Sequence, residues 1–178
     1  GGYHLACDAA SSAAVERLRA RKRRERKPLA VMAADLADAE RLAVLGDAER
    51  RLLTGVERPI VLLERRPGSG LAPELAPGSP LVGLVLPYTA LHHLLLAEAG
   101  RPLVMTSGNL SDEPIVCDDA QALSRLGGVA DLFLVHDRAI ENRCDDSVAR
   151  VIAGRPVVLR RARGHVPRGL ALARPLVR

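Results

Sequence analysis

Short apolar segments alternate with segments of helical periodicity along almost the whole chain, and this alternation restricts the fold more than any other feature. The predicted strands are 1–7, 28–32, 59–63, 81–87, 102–105, 131–137, 147–152 and 155–164. The predicted helices are about 13–24, one or two within 34–53, 90–100 and 117–128. Strands that alternate with helices predict an α/β or α+β sheet. The closeness of the last two strands predicts that this sheet is mixed.

The composition fits a single domain over residues 1–178 with a core of Leu, Val and Ala. Hydrophobic residues make up 48% of the chain but aromatic residues only 2%, which argues against single-stranded nucleic acid, whose bases stack on aromatic rings. The cysteines form no CxxC pair, so we expect no zinc site and no disulfide framework. Without a membrane-spanning run or a signal peptide, a cytoplasmic protein is expected.

Positive charge is concentrated in the segment "ERLRARKRRERKP" (16–28). The chain has a net charge of +5, and eight of the first twelve residues of this segment are Lys or Arg. A solvated helix face or a nonspecific nucleic-acid surface is the ordinary interpretation. Phosphate capture is the alternative, because Arg offers a planar fork and Lys a point charge to phosphate oxygens. Lys22 and Arg24 flank the predicted helix end, and Lys27 leads into the next strand.

A row of polar residues, Thr106-Ser107-Gly108-Asn109, directly follows the apolar strand 102–105. Hydroxyls and successive backbone N–H groups in a turn form a concavity suited to an anion. Ligands on α/β sheets gather at the carboxyl ends of strands, where this row stands. Taken alone, the row favours a structural Asx turn over a binding site. Neither GxxxxGK[ST] nor GxGxxG occurs in the chain, so a P-loop is not indicated.

Two later segments repeat this pattern of cations and hydroxyls: "HDRAIENRCDDSVAR" (136–150), with Arg143 and Ser147, and "LRRARGHVP" (159–167). In a strand, Arg161 and Arg163 of the second segment share one face. A polar surface loop and a basic terminal strand are the structural alternatives.

The same loop contains Asp145 and Asp146, for which two roles are open. They could bind Mg²⁺, or hold Arg143 and neighbouring arginines in place. We favour the second role, because Mg²⁺ often arrives with the nucleotide and keeps most of its waters. His92 and His93 lie among leucines, so we expect at least one of them to be packed or on the surface.

Taken in order along the chain, six segments resemble one known family. They are "GGYHLACDA", "LRARKRRERKPLAVM", "VGLVLPYTALHHLLL", "PLVMTSGNLSDEPI", "HDRAIENRCDDSVAR" and "LRRARGHVP". Together they resemble the YrdC-like domain of the hydrogenase-maturation carbamoyltransferases, the HypF family, over nearly the whole chain. The Lys-x-Arg and Ser-x-Asn patterns of the wider YrdC-like family fall on Lys22 and Arg24, and on Ser107 and Asn109.

The resemblance implies a YrdC-like fold, a twisted open mixed sheet with helices packed on it and a concave basic cavity that binds ATP. In that family the domain uses ATP and carbamate, obtained from carbamoyl phosphate, to form carbamoyl-adenylate and pyrophosphate. The carbamoyl group then passes to the C-terminal cysteine of an acceptor protein and becomes the source of a cyanide ligand for [NiFe]-hydrogenase iron. ATP is the implied cosubstrate and carries Mg²⁺ with it, and the chain itself is expected to hold no metal.

The resemblance also implies a set of site residues. Catalysis is expected from Lys22, Arg24, Ser107 and Asn109. The residues expected to line the ATP and carbamoyl-adenylate site are Tyr3, His4, Lys22, Arg24, Lys27, Thr106, Ser107, Asn109, Arg143, Ser147, Arg161 and Arg163. The cations of 22–27 are expected at the phosphates, and the Ser-x-Asn pair at the α-phosphate and acyl group. Tyr3 and His4 are expected in the acyl pocket.

Two other functions are compatible with the sequence. One is threonylcarbamoyl-adenylate synthesis for tRNA modification by a related YrdC-like enzyme. The other is binding of double-stranded RNA, since a concave positive sheet suits the phosphates of an A-form helix. Because the chain begins with Gly1-Gly2 and ends in a Pro/Arg-rich tail, we also expect it to be part of a larger multidomain carbamoyltransferase.

Overall fold

The computed structural model describes residues 1–111 and 113–170. Within them seven strands form one sheet, with helices on both faces. The strands are β1 (His4–Asp8), β2 (Ala30–Met32), β3 (Ile60–Glu64), β4 (Leu81–Val85), β5 (Leu103–Ser107), β6 (Val148–Ile152) and β7 (Arg155–Arg160). The helices are α1 (Ser12–Lys22), α2 (Leu36–Leu42), α3 (Asp47–Thr54), α4 (Ala90–Ala99) and α5 (Asp119–Leu126), with a 3₁₀ turn at Pro73–Leu75.

The strand order places the carboxyl end of β5 between the amino ends of β1 and β2. The order is β1-β5-β2-β4-β3-β6-β7, with β2 parallel to β4 and β3 parallel to β6, while the remaining pairs are antiparallel. Because β5 runs antiparallel to both of its neighbours, its carboxyl end meets the start of β1 and the segment that enters β2. His4 of β1 lies directly opposite Ser107 of β5. The predicted mixed α/β sheet is confirmed.

Aliphatic side chains hold the helices to the sheet. On one face, Val15 of α1 belongs to the same buried cluster as Val104 of β5, and on the other, Leu96 of α4 belongs to a cluster with Met105. The buried hydrophobic residues are Leu, Val, Ala, Ile and Met, as the scarcity of aromatic residues predicts. Full burial of each such large side chain stabilises the fold by roughly 1.5–3 kcal/mol. In the described ranges no helix is long and apolar enough to cross a membrane.

Caps at both ends determine the length of α1. The side chain of Ser11 accepts a hydrogen bond from Ala14 N (3.3 Å) at its beginning. At its end Arg23 adopts a left-handed conformation with φ 55°, which stops helical hydrogen bonding. The helix therefore ends at Lys22, two residues before the predicted end.

Two predictions about the last third of the chain are wrong. Residues 131–137 are irregular instead of a strand, and Leu132 is 90% exposed. An apolar pattern forms a strand only where a neighbour satisfies its backbone groups, and no described strand pairs with this segment. Strand β7 ends at Arg160, so Arg161 and Arg163 lie beyond the sheet and do not share a strand face. Residues 171–178 of the predicted domain lie outside the described residues.

Candidate functional site

The ammonium group of Lys22 is buried and contacts two other predicted site residues, Ser107 and Asn109. The residue is 1% exposed, and Nζ donates to Ser107 O (2.5 Å), Asn109 O (2.6 Å) and Asn109 Oδ1 (2.6 Å). Three uncharged oxygens thus match the three donors of the ammonium group. Burial, and secondarily the charge of Arg24, lowers the pKa of Lys22 from 10.5 to about 8. The partners of Lys22 are uncharged carbonyl and amide oxygens, so they do not neutralise its positive charge.

The turn that receives Lys22 is fixed by its own side chains. Ser107 Oγ donates to Asn109 Oδ1 (2.7 Å), and Asn109 Nδ2 donates to Glu113 O. The N–H groups of Gly108 and Asn109 donate to Tyr3 O (2.6 Å) and Ser107 O (3.0 Å). These two N–H groups are therefore engaged within the protein, and the predicted anion-binding concavity of successive free N–H groups is not formed. The row is a structural turn and, at the same time, the acceptor of a buried cation.

Gly108 is the one position of this turn that cannot carry a side chain. A Cβ there would lie 2.7 Å from both Cβ and the carbonyl oxygen of Tyr3, closer than packed atoms approach. The close contact joins the end of β5 to the residue that enters β1. It brings the turn next to Tyr3, whose hydroxyl donates to the Asp119 carboxylate. Burial and Asp119 raise the pKa of Tyr3 to about 12.

Arg24 joins the same group from the loop after α1. Its Nη1 donates to Thr106 Oγ1 (3.3 Å) and its Nη2 donates to Pro28 O (2.7 Å). Lys27 is exposed, and its carbonyl accepts from Arg24 Nε (3.3 Å). The structure therefore brings together five predicted residues, which we call the cation site: Lys22, Arg24, Thr106, Ser107 and Asn109.

Arg19 supports the cation site and was missed by sequence reasoning. It is 8% exposed, and its guanidinium donates to the carbonyls of Arg24 (2.8 Å) and Glu25 (3.1 Å), and to those of Glu74 (2.5 Å) and Leu75 (3.0 Å). It thereby ties the loop that carries Arg24 to the 3₁₀ turn. One arginine among many in a basic segment has no sequence signal that distinguishes this role.

A second group lies across from the turn and combines aromatic rings with an ion pair. We call it the ring cluster: His4, Tyr88, His92, Asp146 and Arg163. The ring of His4 stacks on that of His92 (centroids 5.6 Å apart, 11° between planes), and Tyr88 meets His92 edge-on at 4.5 Å. Arg163 Nε pairs with Asp146 Oδ1 at 2.7 Å, and Arg163 Cζ lies 3.4 Å from the centroid of the Tyr88 ring. Tyr88 OH also donates to Asp146 Oδ1 (3.2 Å).

Burial makes both histidines of the ring cluster neutral. Desolvation lowers the pKa of His4, with Asp146 opposing and Arg163 adding to the effect. It lowers the pKa of His92 to about 4, where the neighbouring His4 adds to it. Burial and Asp146 raise the pKa of Tyr88, so its hydroxyl keeps its proton. The rings therefore offer hydrogen-bonding groups without adding charge.

Arg163 and Ser147 are occupied by contacts within the protein. Arg163 also donates to the carbonyls of Glu57 (3.3 Å) and Arg58 (2.7 Å). Ser147 is fully buried, and its hydroxyl accepts from Ala162 N (2.8 Å) and donates to Arg163 O (2.9 Å). The prediction that the acidic pair holds an arginine is right in kind, but Asp146 holds Arg163 and not Arg143.

The remaining predicted residues lie apart from the cation site. Arg143 is exposed, and its Nη2 lies 3.6 Å from the thiol of Cys117. Arg161 Nη2 donates to His165 O (2.9 Å) and to Arg168 O. In the described part of the chain, no group of three His, Cys, Asp or Glu side chains is arranged to hold a metal ion.

Comparison with protein families identifies the fold family. The family profile of Sua5, YciO and YrdC, described as "Telomere recombination", matches residues 1–162. The chain belongs to the Sua5/YciO/YrdC family. In this member of the family, the Lys-x-Arg segment contacts the Ser-x-Asn turn at the edge of a seven-stranded sheet.

Within the Sua5/YciO/YrdC family, the chain is similar to HypF proteins over nearly its full length. It is 49% identical to the carbamoyltransferase HypF of Synechocystis sp. over 175 residues, which are 98% of this chain and 23% of that protein. It also matches a crystal structure of full-length HypF in the phosphate- and nucleotide-bound form, with a TM-score of 0.90 and 45% identity over 94% of this chain and 26% of that one. The chain thus spans about a quarter of the length of these relatives.

The chain is also similar to threonylcarbamoyl-AMP synthases, the enzymes of the alternative function, but over a shorter segment. The threonylcarbamoyl-AMP synthase of Bos taurus is 37% identical over 112 residues, which are 62% of this chain and 40% of that protein. Lower identity over a shorter segment makes this relationship the more distant of the two.

Proposed function

We propose that this chain binds ATP and joins carbamate to its AMP part, forming carbamoyl-adenylate and releasing pyrophosphate. The observation that carries the proposal is the cation site, where a buried ammonium group lies among uncharged oxygens close to Arg24. The 49% identity to a carbamoyltransferase supports the reaction class. The nucleotide bound to the related full-length HypF supports ATP as the ligand.

In the proposed reaction a carbamate oxygen attacks the α-phosphorus of ATP. A bond forms between that oxygen and phosphorus, the bond from phosphorus to the bridging oxygen breaks, and pyrophosphate leaves with the electron pair. Negative charge on the phosphate oxygens must be stabilised in the transition state, so preorganised cations lower the barrier. The reaction needs no protein nucleophile, which fits a site made of Lys, Arg, Ser and Asn.

Lys22 and Arg24 supply positive charge in this reaction, and Ser107 and Asn109 orient the α-phosphate and acyl group. The three donors of Lys22 are matched by the turn in the described arrangement. A phosphate oxygen is anionic and accepts more strongly than a carbonyl oxygen. We therefore expect the nucleotide to replace one of these contacts, and Lys27 to meet the outer phosphates from the exposed side.

Other predicted residues take supporting roles in the proposal. Tyr3 borders the acyl side, and Arg143 and Arg161 are expected to reach the bound nucleotide from outside the cation site. Ser147 and Arg163 hold the opposite wall through the contacts already described. Mg²⁺ is expected to arrive on the phosphates of ATP.

The substrates and partners follow from this reaction. Carbamate is supplied by dephosphorylation of carbamoyl phosphate, and the carbamoyl group is passed to the C-terminal cysteine of an acceptor protein for cyanide ligand synthesis in [NiFe]-hydrogenase maturation. Because the HypF relatives are about four times longer than this chain, we propose that residues 1–178 act as the adenylate-forming domain of a cytoplasmic carbamoyltransferase.

Calorimetry with ATP tests binding, and exchange of labelled pyrophosphate into ATP with freshly dissolved ammonium carbamate tests the chemistry. A Ser107→Ala/Asn109→Ala variant is expected to bind ATP about tenfold more weakly, because it loses the side-chain hydrogen bonds of the half-buried turn. Ser124→Ala, at an exposed serine of α5, is the matched control and is expected to bind normally. Unchanged binding in the double variant would contradict the site assignment.

The same assays separate the two alternatives. Exchange driven by threonine and bicarbonate, but not by carbamate, would favour threonylcarbamoyl-adenylate synthesis. Salt-dependent binding of double-stranded RNA without binding of ATP would favour an RNA-binding module.

A further inference from the structure

The chain that leaves α1 has its carbonyl oxygens held by two side chains. The four successive carbonyls of residues 22–25 are engaged in this way. Ser111 Oγ lies 3.1 Å and 2.8 Å from the first two, and Arg19 Nη1 donates to the last two at 2.8 Å and 3.1 Å. A carbonyl that accepts from a fixed donor resists rotation of its peptide unit. The backbone therefore has a set direction here, although residues 25–27 are exposed.

Arg19 is anchored on its other side to the core. Its Nε and Nη2 donate to Glu74 O (2.5 Å) and Leu75 O (3.0 Å). Leu75 is 1% exposed and belongs to the main buried cluster, and its carbonyl also accepts from Leu29 N (2.8 Å) just before β2. A planar guanidinium with five N–H donors can bridge two pairs of carbonyls on opposite sides. The compact ammonium group of a lysine cannot reach both pairs at once.

The side chain of Arg24 folds back over the loop that Arg19 holds. Arg24 Nε and Nη2 donate to Lys27 O (3.3 Å) and Pro28 O (2.7 Å), while Nη1 reaches Thr106 Oγ1 (3.3 Å). These bonds keep the guanidinium at the cation site only while the loop keeps its shape. A shift of the Arg24 backbone would therefore move the cation that the proposed function directs to phosphate.

We propose that Arg19 is a positioning residue for nucleotide binding, because it fixes the backbone from which Arg24 reaches the phosphates of ATP. This inference rests on the proposed function above. Arg19 is 8% exposed, and its guanidinium is directed at carbonyls of the protein. It therefore acts through Arg24 and does not touch the nucleotide. A cation held in place beforehand binds its ligand without the cost of ordering a loop.

A double-mutant cycle separates this role from a general effect on the fold. Arg19→Lys keeps the positive charge but cannot bridge both pairs of carbonyls, and we expect affinity for ATP, measured by calorimetry, to fall about fivefold to tenfold. In an Arg24→Met background the same change should cost less than about twofold, because the residue through which Arg19 acts is gone. Arg17→Lys, at an exposed arginine of the same helix, is the matched control and should leave affinity unchanged in both backgrounds.

A measurement on the unmodified protein tests the inference even where Arg19→Lys fails to fold. The side-chain Nε–H signals of Arg19 and Arg24 are followed by nuclear magnetic resonance with and without ATP. We expect the signal of Arg19 to keep its position and its slow exchange with water, because its carbonyl partners stay the same. The signal of Arg24 should shift, because its guanidinium meets the phosphates.

Three outcomes would overturn the role of Arg19 and leave the proposed function intact. Unchanged affinity in Arg19→Lys is the first. An equal loss of affinity with and without Arg24 is the second, because that pattern reports general damage to the fold. A signal of Arg19 that shifts with ATP as much as that of Arg24 is the third, because it reports direct contact with the nucleotide. Absence of ATP binding by the wild type would remove the proposed function and the role of Arg19 together.

Discussion

The cation site and the ring cluster meet where His4 of β1 pairs with Ser107 of β5, but the two groups hold their cations in opposite ways. In the cation site, the ammonium group of Lys22 donates to uncharged oxygens. In the ring cluster, the guanidinium of Arg163 pairs with the carboxylate of Asp146 at 2.7 Å and covers the ring of Tyr88. The partners of Lys22 leave its charge available to an anion, whereas those of Arg163 cancel it locally. In the proposed function, this difference separates a cation that binds a substrate from one that holds the structure.

Replacing Lys22 with Met tests this difference where the expected effect is largest. Met fills similar space but supplies neither charge nor donors, and it leaves the oxygens of Ser107 and Asn109 without their partner. We expect the rate of carbamate-dependent pyrophosphate exchange to fall at least about 100-fold. Arg26→Met removes one charge from an exposed residue of the same segment and should change the rate little. A Lys22→Met variant with normal exchange would refute the role of this cation.

The polar turn of the cation site was predictable because its signals are local. Ser107 and Asn109 directly follow an apolar strand, and their residue types alone indicate a polar turn. Their connection to Lys22, which lies 85 positions before Ser107, came only from a family resemblance. The use of the N–H groups was not predictable, because the partner of Gly108 N is the carbonyl of Tyr3, the residue that precedes β1.

The ring cluster was mostly beyond sequence reasoning. Tyr88, His92 and Asp146 lie in separate segments of the chain, and no spacing links them to His4. Strand order and the folding of the chain after β7 bring them together. The wrong strand at 131–137 has the same origin, since whether an apolar segment finds a pairing partner depends on the whole sheet.

Replacing Asp146 with Asn tests the ring cluster as a structural element. The substitution leaves the guanidinium of Arg163 half-buried without its carboxylate, and side-chain exposures of 19% and 14% show that water compensates little. We expect the free energy of unfolding in urea to fall by about 2 kcal/mol, while affinity for ATP changes less than in Lys22→Met.

The exposed pair of Arg21 and Asp131 provides the control for this prediction. Its side chains are 35% and 68% exposed, so Asp131→Asn should leave the unfolding transition where it is. Equal stability of the Asp146 and Asp131 variants would show that the ring cluster does not depend on its ion pair.

The smallest expected effect is a pH dependence of ATP affinity that is caused by deprotonation of Lys22. Its pKa is lowered from 10.5 to about 8, so the ammonium group loses its proton as the pH rises through that value. Affinity should then fall by up to about tenfold for each further pH unit, measured by calorimetry from about pH 7 to pH 9.5. Lys22→Arg keeps its charge over this range and should show a much flatter profile.

Deprotonation of Lys22 should change the stability of the fold in the opposite direction to ATP affinity. The folded-state pKa of Lys22 lies below its ordinary value, so between about pH 8 and pH 10.5 the unfolded chain binds more protons than the folded chain. The contribution of Lys22 to the free energy of unfolding therefore rises with pH across this window and is lost as the pH falls through about 8. Urea unfolding of the wild type and Lys22→Arg at each pH isolates that contribution. If ATP affinity and the contribution of Lys22 to the free energy of unfolding both fell above pH 8, the cause would be partial unfolding at high pH. Loss of a phosphate-binding cation would then not explain the weaker binding.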